Sequence, residues 1–252
     1  MGCHLPFVVS GPAAGGGTAR KDRSETMFTR EIIDDAFVIE TARLELRWPR
    51  LADVRAIECL AGEKAVAEMT AQIPHPYPPG AAEGFVYEAR HGNAEGKALT
   101  LVITPRGKLH EVMGAVSLRP SAAGEPEIGY WLGTPFWGCG FATEAVRAVV
   151  DTAFTHSDAP AVVASVRVVN PASRRVLEKC GFHVAGAGLL PFPARGGVFP
   201  VDHLRLERRI WESLKGWTNP HFVGLAVRER TAEAGCLVPG VEPCTILPGG
   251  EP

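Results

Sequence analysis

Polar and apolar residues alternate in several short stretches of the chain, as they do in strands with one buried face. Residues 43–48, Arg-Leu-Glu-Leu-Arg-Trp, follow this pattern, and residues 127–132 form a second strand-like stretch. Residues 99–103 and 111–118 are two further apolar stretches, and they flank a turn at Gly107. The pattern therefore predicts a hairpin followed by another strand.

Helical periodicity appears between and after these strands. Apolar residues recur at positions 142, 145, 146, 149, 150 and 153, which predicts a helix with one face packed against a sheet. Asp53 is predicted to cap a shorter helix that ends near Gly62, and another helix is predicted to cover residues 85–90.

The last third of the folded region reads as a strand–helix–strand unit. Residues 161–168 are rich in β-branched side chains, a helical stretch follows them, and residues 201–206 are expected to close the sheet. Antiparallel strands followed by such a unit predict an α+β fold. We expect a single domain with a mixed, mostly antiparallel central sheet flanked by helices.

The two ends of the chain differ in composition from its middle. Residues 1–36 include SGPAAGGGTARKDRSET, which has too few apolar side chains to offset its ordering entropy, so a disordered N-terminal extension is expected. Met27 is a candidate start of translation. Residues 216–252 are dense in Pro and Gly and predict a weakly ordered C-terminal tail. The folded domain is therefore expected to span residues 37–215.

Charge and cysteine usage narrow the classes of function. The 252 residues carry a formal net charge of −2 and no run of Lys and Arg, so no nucleic-acid partner is expected. The sequence contains no stretch of about 18 apolar residues, so no membrane span is predicted. The six cysteines include no Cys-x-x-Cys pair, and the histidines form no His-Glu-x-x-His motif. We therefore expect free thiols, a cytoplasmic location and no metal.

The stretch WGCGFATEAVRAVV, residues 137–150, is the first candidate binding motif. Gly138 and Gly140 let an anion approach the backbone, and the N–H groups of the first helical turn are free to bind it. A Walker loop is excluded, because Cys139 and Gly140 stand where Lys and Ser or Thr are required. A dinucleotide fingerprint fits poorly, because Thr143 replaces its third glycine. The loop alone is equally compatible with a simple change of chain direction.

A second motif, NPASRRVLEKCGF at residues 170–182, changes that balance. Together with EIGYWLGTPFWGCGFATEAVRAVV it resembles the GNAT superfamily of acyl-CoA-dependent N-acetyltransferases, and more narrowly the branch that contains the ribosomal-protein N-terminal acetyltransferases. The resemblance covers about residues 40–212, including the TARLELR segment near the start of the domain. It implies a GNAT-like fold, acetyl-CoA as the co-substrate and no metal.

The resemblance also implies which residues contact coenzyme A. These are Trp131, Leu132, Gly138, Cys139, Gly140, Phe141, Ala142, Thr143, Asn170 and Ser173. Packing is the alternative role for Trp131, and Asn170 followed by Pro171 is also the pattern of a helix N-cap. The chain departs from the family's Gln/Arg-x-x-Gly-x-Gly/Ala pattern at Pro135, and Cys139 fills a position that is often basic.

Catalytic residues follow from the same resemblance. Many superfamily members use a Tyr to protonate the leaving thiolate, and Leu177 occupies that position here. The ribosomal-protein branch implies Glu127 as general base and Ser173 as proton donor. At pH 7, deprotonating an α-amine costs about 1 kcal/mol and deprotonating a lysine about 4.6 kcal/mol, so a carboxylate base favours α-amines or weakly basic small molecules.

The acceptor amine is less well defined by the sequence. The proline-rich segment IPHPYPPG, residues 73–80, is expected to border the acceptor pocket, with His75 and Tyr77 as candidate substrate contacts. The acceptor is either a protein N-terminal α-amine or a small-molecule amine, and the protein is expected to be a monomer or a homodimer. The alternative function is a non-catalytic acyl-CoA sensor on the same fold.

Overall fold

The computed structural model describes residues 27–28 and 34–215. Its strands are β1 (Val38–Glu40), β2 (Leu44–Arg47), β3 (Leu99–Pro105), β4 (Gly114–Pro120), β5 (Pro126–Leu132), β6 (Ala161–Arg167), β7 (His183–Phe192) and β8 (Gly197–Glu207). Its helices are α1 (Val54–Ala61), α2 (Lys64–Glu68), α3 (Ala81–Ala94), α4 (Phe141–His156), α5 (Pro171–Lys179) and α6 (Arg208–Lys215). The tail predicted at residues 216–252 and most of the extension predicted at residues 1–36 lie outside the described residues.

All eight strands form one mixed sheet in the order β1-β2-β3-β4-β5-β6-β8-β7. Every neighbouring pair is antiparallel except β5 and β6, which run parallel because α4 connects them. The α+β class and the mostly antiparallel sheet are therefore confirmed. None of the helices in the described part of the chain is long and apolar enough to cross a membrane.

The alternation of side chains along the strands gives the sheet two packed faces. Ile128 and Leu132 of β5 join the main core, to which α4 and α5 contribute Val146, Val149 and Leu177. Trp131, on the opposite side of β5, packs in a second cluster with residues of α1 and α3. Phe28 is also buried in the main core, upstream of the domain boundary expected at residue 37.

The parallel pair β5–β6 has the shortest ladder in the sheet. Glu127 opposite Val163 is the single register pair that joins these strands within residues 34–215. Beyond that pair, toward their carboxyl ends, the strands are not joined by a ladder. This opening lies where β5 leads into α4 and β6 leads into α5, which is the end of parallel strands where ligands bind in open sheets.

Two predictions about the edges of elements are corrected by the structure. Residues 201–206 do not close the sheet, because β8 lies inside it and β7 forms the edge. β7 escaped detection because it is exposed along most of its length, contains Gly186 and Gly188, and is bulged, so it shows no apolar alternation. The helix predicted at residues 85–90 is longer and spans Ala81–Ala94.

Asp53 precedes α1 as predicted, but its carboxylate does not cap that helix. Both of its oxygens instead accept hydrogen bonds of 2.7 Å from the buried guanidinium of Arg47. A buried charge requires a partner of opposite sign. Asp53 therefore serves the packing of α1 on β2, and its Oδ2 also accepts the Arg50 backbone N–H over 2.7 Å at the start of the short Leu51–Asp53 turn that precedes α1.

Candidate active site

The glycine loop leaves β5 and turns sharply before α4 begins. The indole Nε1–H of Trp137 donates to the carbonyl of Leu132 over 2.7 Å, which fixes the start of the turn. Gly138 and Gly140 have φ angles of 75° and 81°, in the left-handed region that side chains disfavour. The two glycines of the motif are therefore required by the backbone.

The first turn of α4 presents free backbone donors. Gly140 is the N-cap and no side chain caps the helix, while the first intrahelical bond runs from the Glu144 N–H to the Gly140 carbonyl over 3.1 Å. The N–H groups of Phe141, Ala142 and Thr143 consequently lack intrahelical acceptors. They stand at the positive end of the helix dipole, which suits a diphosphate. Pro135 lies before them in the Thr134–Phe136 turn and removes none of these donors.

Glu144 places a negative charge in this same turn, and the structure shows how that charge is balanced. Its Oε1 accepts hydrogen bonds from the Thr41 hydroxyl and the Arg43 backbone N–H, at 2.7 and 2.8 Å. Its Oε2 accepts from Nε of Arg43 over 2.7 Å. Burial raises the pKa of Glu144, but the bonds from Thr41 and Arg43 outweigh burial and lower it below its ordinary value. The carboxylate is thus ionised but turned toward the β1–β2 connection.

Arg43 also holds the glycine loop from outside. Its Nη1 donates to the carbonyl of Cys139 over 3.0 Å, and its guanidinium lies 4.6 Å from the centroid of the Phe141 ring. Thr41 and Arg43 belong to the TARLELR segment, and sequence reasoning did not assign them to the site. The sequence held one signal for them, which is the acidic Glu144 in the first turn of the helix that follows the glycine motif. An acidic side chain at that position requires a basic partner if an anion is to bind there.

The second motif begins α5 in the way that a capped helix requires. The Asn170 Oδ1 accepts a hydrogen bond from the Ser173 backbone N–H over 3.0 Å, and Pro171 occupies the first helical position. The N-cap alternative for Asn170 is therefore present in the structure. Arg174, in the same helix, pairs with Glu178 and Asp202 at 2.9 Å each.

Tyr130 is a further residue of the site that the sequence did not reveal. Its hydroxyl donates to the Ser173 carbonyl over 3.0 Å and lies 2.9 Å from the Ser173 Oγ. Burial raises the pKa of Tyr130, and the hydrogen bond with Ser173 opposes that rise only in part. Tyr130 therefore stays protonated at neutral pH. Leu177, which stands where the resemblance implies a Tyr in many superfamily members, is fully buried in the core.

Glu127 faces the other side of the sheet. Its Oε1 accepts a hydrogen bond of 2.8 Å from the hydroxyl of Ser165 on β6. Because side chains alternate along β5, Glu127 and Tyr130 point to opposite faces. Glu127 and Ser173 are therefore not in contact, and a molecule that meets both must pass through the opening between β5 and β6.

The proline-rich segment, residues 73–80, packs on the side of the sheet that carries Glu127. His75 Nδ1 lies 3.0 Å from the carbonyl of Gly62, and Tyr77 packs in the second core cluster. Burial raises the pKa of Tyr77 to about 12, with additional effects of Glu58 and Glu83. Arg195, in the β7–β8 connection, donates to the carbonyls of Ala67 and Ile73 and so joins this segment to the edge of the sheet.

The described residues, 27–28 and 34–215, include no group of three or more His, Cys, Asp or Glu side chains arranged to hold a metal ion. The mostly antiparallel sheet with its single parallel pair, and the uncapped start of α4 next to that pair, define the class of the protein as an α+β fold whose helix start is suited to an anion. The family model described as an acetyltransferase (GNAT) domain matches residues 43–183. That is more than half of the chain, which therefore belongs to the GNAT acetyltransferase family.

Curated relatives match part of the chain. The probable N-acetyltransferase YjcK of Bacillus subtilis is 44% identical over 78 residues, which cover 30% of this chain and 43% of the relative. The uncharacterized N-acetyltransferase p20 of Bacillus licheniformis is 40% identical over 86 residues, or 34% of this chain and 48% of the relative. The chain thus matches about half the length of these relatives.

Solved structures share the fold over a larger part of the chain. A spermidine N-acetyltransferase from Vibrio cholerae, in complex with CoA and spermine, has a TM-score of 0.57 at 20% identity and covers 68% of this chain and 99% of its own. RimJ of Mycobacterium smegmatis, in complex with CoA-disulfide, has a TM-score of 0.58 at 22% identity and covers 69% and 88%.

Proposed function

We propose that the protein transfers an acetyl group from acetyl-CoA to a primary amine, either a protein N-terminal α-amine or a small-molecule amine in the cytoplasm. The observation that carries the proposal is the uncapped α4 N-terminus at the open end of the β5–β6 pair. A ligand whose phosphates bind to the cradle of free N–H groups at the start of α4 extends from there into the gap between β5 and β6, where Glu127 and Ser173 lie on either side. Family membership supports the same chemistry.

The cradle fits the pyrophosphate of coenzyme A. Two glycines with left-handed backbone open the approach, and the N–H groups of Phe141, Ala142 and Thr143 supply the donors. Each hydrogen bond to a charged oxygen contributes about 1.5–3 kcal/mol. Arg43 keeps the Glu144 carboxylate away from the phosphates. We assign Trp131, Leu132 and Asn170 to the arm of the cofactor, which leads from the cradle toward the opening.

Acetyl-CoA supplies the thioester whose carbonyl carbon the amine attacks. Glu127 takes one proton from the attacking nitrogen, directly or through water, as the carbon–nitrogen bond forms. Ser173 gives its hydroxyl proton to the sulfur as the carbon–sulfur bond breaks and regains a proton from solvent, while Tyr130, whose hydroxyl lies 2.9 Å away, holds the serine in place. Base and acid on opposite faces of the sheet prevent direct proton exchange between them.

The acceptor enters from the face that carries Glu127, His75 and Tyr77. A carboxylate base removes the proton of an α-amine at a cost of about 1 kcal/mol at pH 7, which is far below the cost for a lysine. Neighbours of the same fold are named as a spermidine N-acetyltransferase and as a ribosomal L7/L12 α-N-protein acetyltransferase. We therefore place peptide N-termini and small amines first among the acceptors.

The proposal is tested in two stages. Acetyl-CoA at about 100 times its Kd is expected to stabilise the protein by about 2.7 kcal/mol, which is seen as a rise in Tm. Peptides with free N-termini and small amines are then screened for release of the CoA thiol with a thiol-reactive dye. Stabilisation without thiol release from any amine would favour the sensor alternative, and absence of stabilisation would remove the cofactor assignment.

The catalytic assignment needs its own variants. Glu127→Gln is expected to lower kcat and to change the pH–rate profile while leaving the KM for acetyl-CoA within about twofold, because the carboxylate contacts only the amine. Ser173→Ala and Tyr130→Phe are each expected to lower kcat. An unchanged pH–rate profile in Glu127→Gln would exclude Glu127 as the base.

A further inference from the structure

Three polar side chains form a line across β5, β6 and β8 on the face opposite the main core. Glu127 is paired with Val163 in the register of β5 and β6, so Ser165, two residues further along β6, lies on the same face. Ser165 is paired directly with His203 of β8. All three are partly buried, and strand patterning alone gives no reason for a serine and a histidine at these positions.

The distances turn this line into a directed chain of hydrogen bonds. The Ser165 hydroxyl donates to the Glu127 Oε1 over 2.8 Å, and its oxygen lies 3.2 Å from the His203 Nδ1. A hydroxyl has a single proton to donate. Because that proton is used on Glu127, the second bond must run from the Nδ1–H of His203 to the serine oxygen. The imidazole thereby determines which way the hydroxyl points.

The edge strand makes room for the imidazole. A Cβ atom at Gly188 of β7 would lie 2.7 Å from the His203 Nε2, so any other residue at position 188 would displace the ring. His203 is thus held between Ser165 on one side and the Gly188 backbone on the other. This arrangement leaves the ring little freedom to turn its Nδ1 away from the serine.

We propose that Ser165 and His203 are positioning residues for Glu127 in the acetyl transfer, an inference that rests on the proposed function of this site. Ser165 occupies Oε1, which assigns Oε2 to the proton of the incoming amine. His203 acts through Ser165, because its Nδ1–H prevents the hydroxyl from rotating away from the carboxylate. A carboxylate held in one orientation reaches the attacking nitrogen more often than one that rotates freely.

The kinetic test uses paired variants of the full chain. Ser165→Ala is expected to lower kcat about tenfold with the KM for acetyl-CoA changed by less than about twofold, and Ser165→Thr, which keeps the hydroxyl, to retain most of the activity. His203→Phe is expected to lower kcat about threefold. The double variant is expected to match Ser165→Ala alone, because the imidazole acts only through the serine. His110→Phe, at an exposed position in the β3–β4 connection, serves as the control.

A second measurement does not depend on turnover. The imidazole ¹⁵N resonances of His203 report whether Nδ1 carries a hydrogen-bonded proton, and they are expected to shift in Ser165→Ala and not in His110→Phe. Two results would overturn the positioning role. One is a double variant whose decrease in kcat is the sum of the two single effects, and the other is a His203 ¹⁵N resonance that does not shift in Ser165→Ala. Failure of the wild-type protein to acetylate any amine would instead overturn the proposed function, while the ¹⁵N result would still decide whether the chain of hydrogen bonds exists.

Discussion

The side chains of Arg43 and Glu144, which are 101 positions apart, join the β1–β2 connection to the first turn of α4. Nε and Nη2 of the guanidinium both lie 2.7 Å from Oε2 of the carboxylate. The pair removes the one acidic charge of the helix turn from the region where a pyrophosphate is expected. It therefore links the start of the domain to the proposed cofactor site.

Loss of Arg43 is expected to weaken acetyl-CoA binding through Glu144. Arg43→Ala leaves the carboxylate unpaired beside the phosphates, so the KM for acetyl-CoA should rise about tenfold at low ionic strength, equivalent to about 1.4 kcal/mol. Added salt should reduce the difference, because the pair is partly exposed. The check is steady-state kinetics over a range of salt concentrations.

The control for this prediction removes both charges. Arg43→Ala combined with Glu144→Gln is expected to bind acetyl-CoA better than Arg43→Ala alone, whereas Lys108→Ala, in a surface pair with Glu111, should behave as wild type. A double variant no better than the single one would show that Arg43 acts on the loop by its contacts with Cys139 and Phe141 rather than by balancing Glu144.

Substitution of two glycines that have the same backbone conformation can distinguish an effect on stability from an effect on CoA binding. Gly138 and Gly107 have φ angles of 75° and 77°, and an added Cβ would have no neighbour within 4 Å at either position. Gly138→Ala and Gly107→Ala are therefore expected to lower the free energy of unfolding by a similar amount, about 1–2 kcal/mol. Only Gly138→Ala should raise the Kd for CoA, because its methyl group lies in the cradle. Equal Kd values, measured by calorimetry, would argue against binding at this loop.

Asn170 is expected to combine two roles that substitution can separate. Asn170→Ala removes the cap of α5 and should lower the free energy of unfolding by about 1 kcal/mol, while Asn170→Ser restores the cap. We expect the KM for acetyl-CoA to stay raised in both variants, because serine lacks the amide assigned to the cofactor arm. If Asn170→Ser recovers both stability and KM, the residue is only a cap.

The half-buried Tyr77 predicts a specific loss of stability in alkali. Its folded-state pKa of about 12 lies above the ordinary value of 10.0, so the folded state holds the phenolic proton more tightly than the unfolded state. The stabilisation is complete below about pH 10 and is lost as the pH rises toward 12. Urea unfolding of Tyr77→Phe should therefore show a smaller decrease in stability between about pH 9 and pH 11 than the wild type shows. Tyr87→Phe, at an exposed position, is the control and should follow the wild type.

The sequence determined those parts of the protein that local rules control. Alternation predicted β2 and β5, a 3.6-residue period predicted α4, and Asn170 followed by Pro171 predicted the start of α5. The same rules failed for β7, because an edge strand exposed to solvent needs no apolar alternation, and for the carboxylate of Asp53, because its partner Arg47 is buried in a neighbouring element.

The candidate site divides in the same way. The glycine loop could be recognised from the sequence because its requirements are local: a left-handed backbone at Gly138 and Gly140, and free N–H groups at a helix start. The partners Arg43 with Glu144, Tyr130 with Ser173, and Ser165 with His203 come from elements far apart in the chain. Only the order of strands in the sheet brings such residues within hydrogen-bonding distance, since that order is decided by how the elements pack together and not by any pattern within one of them.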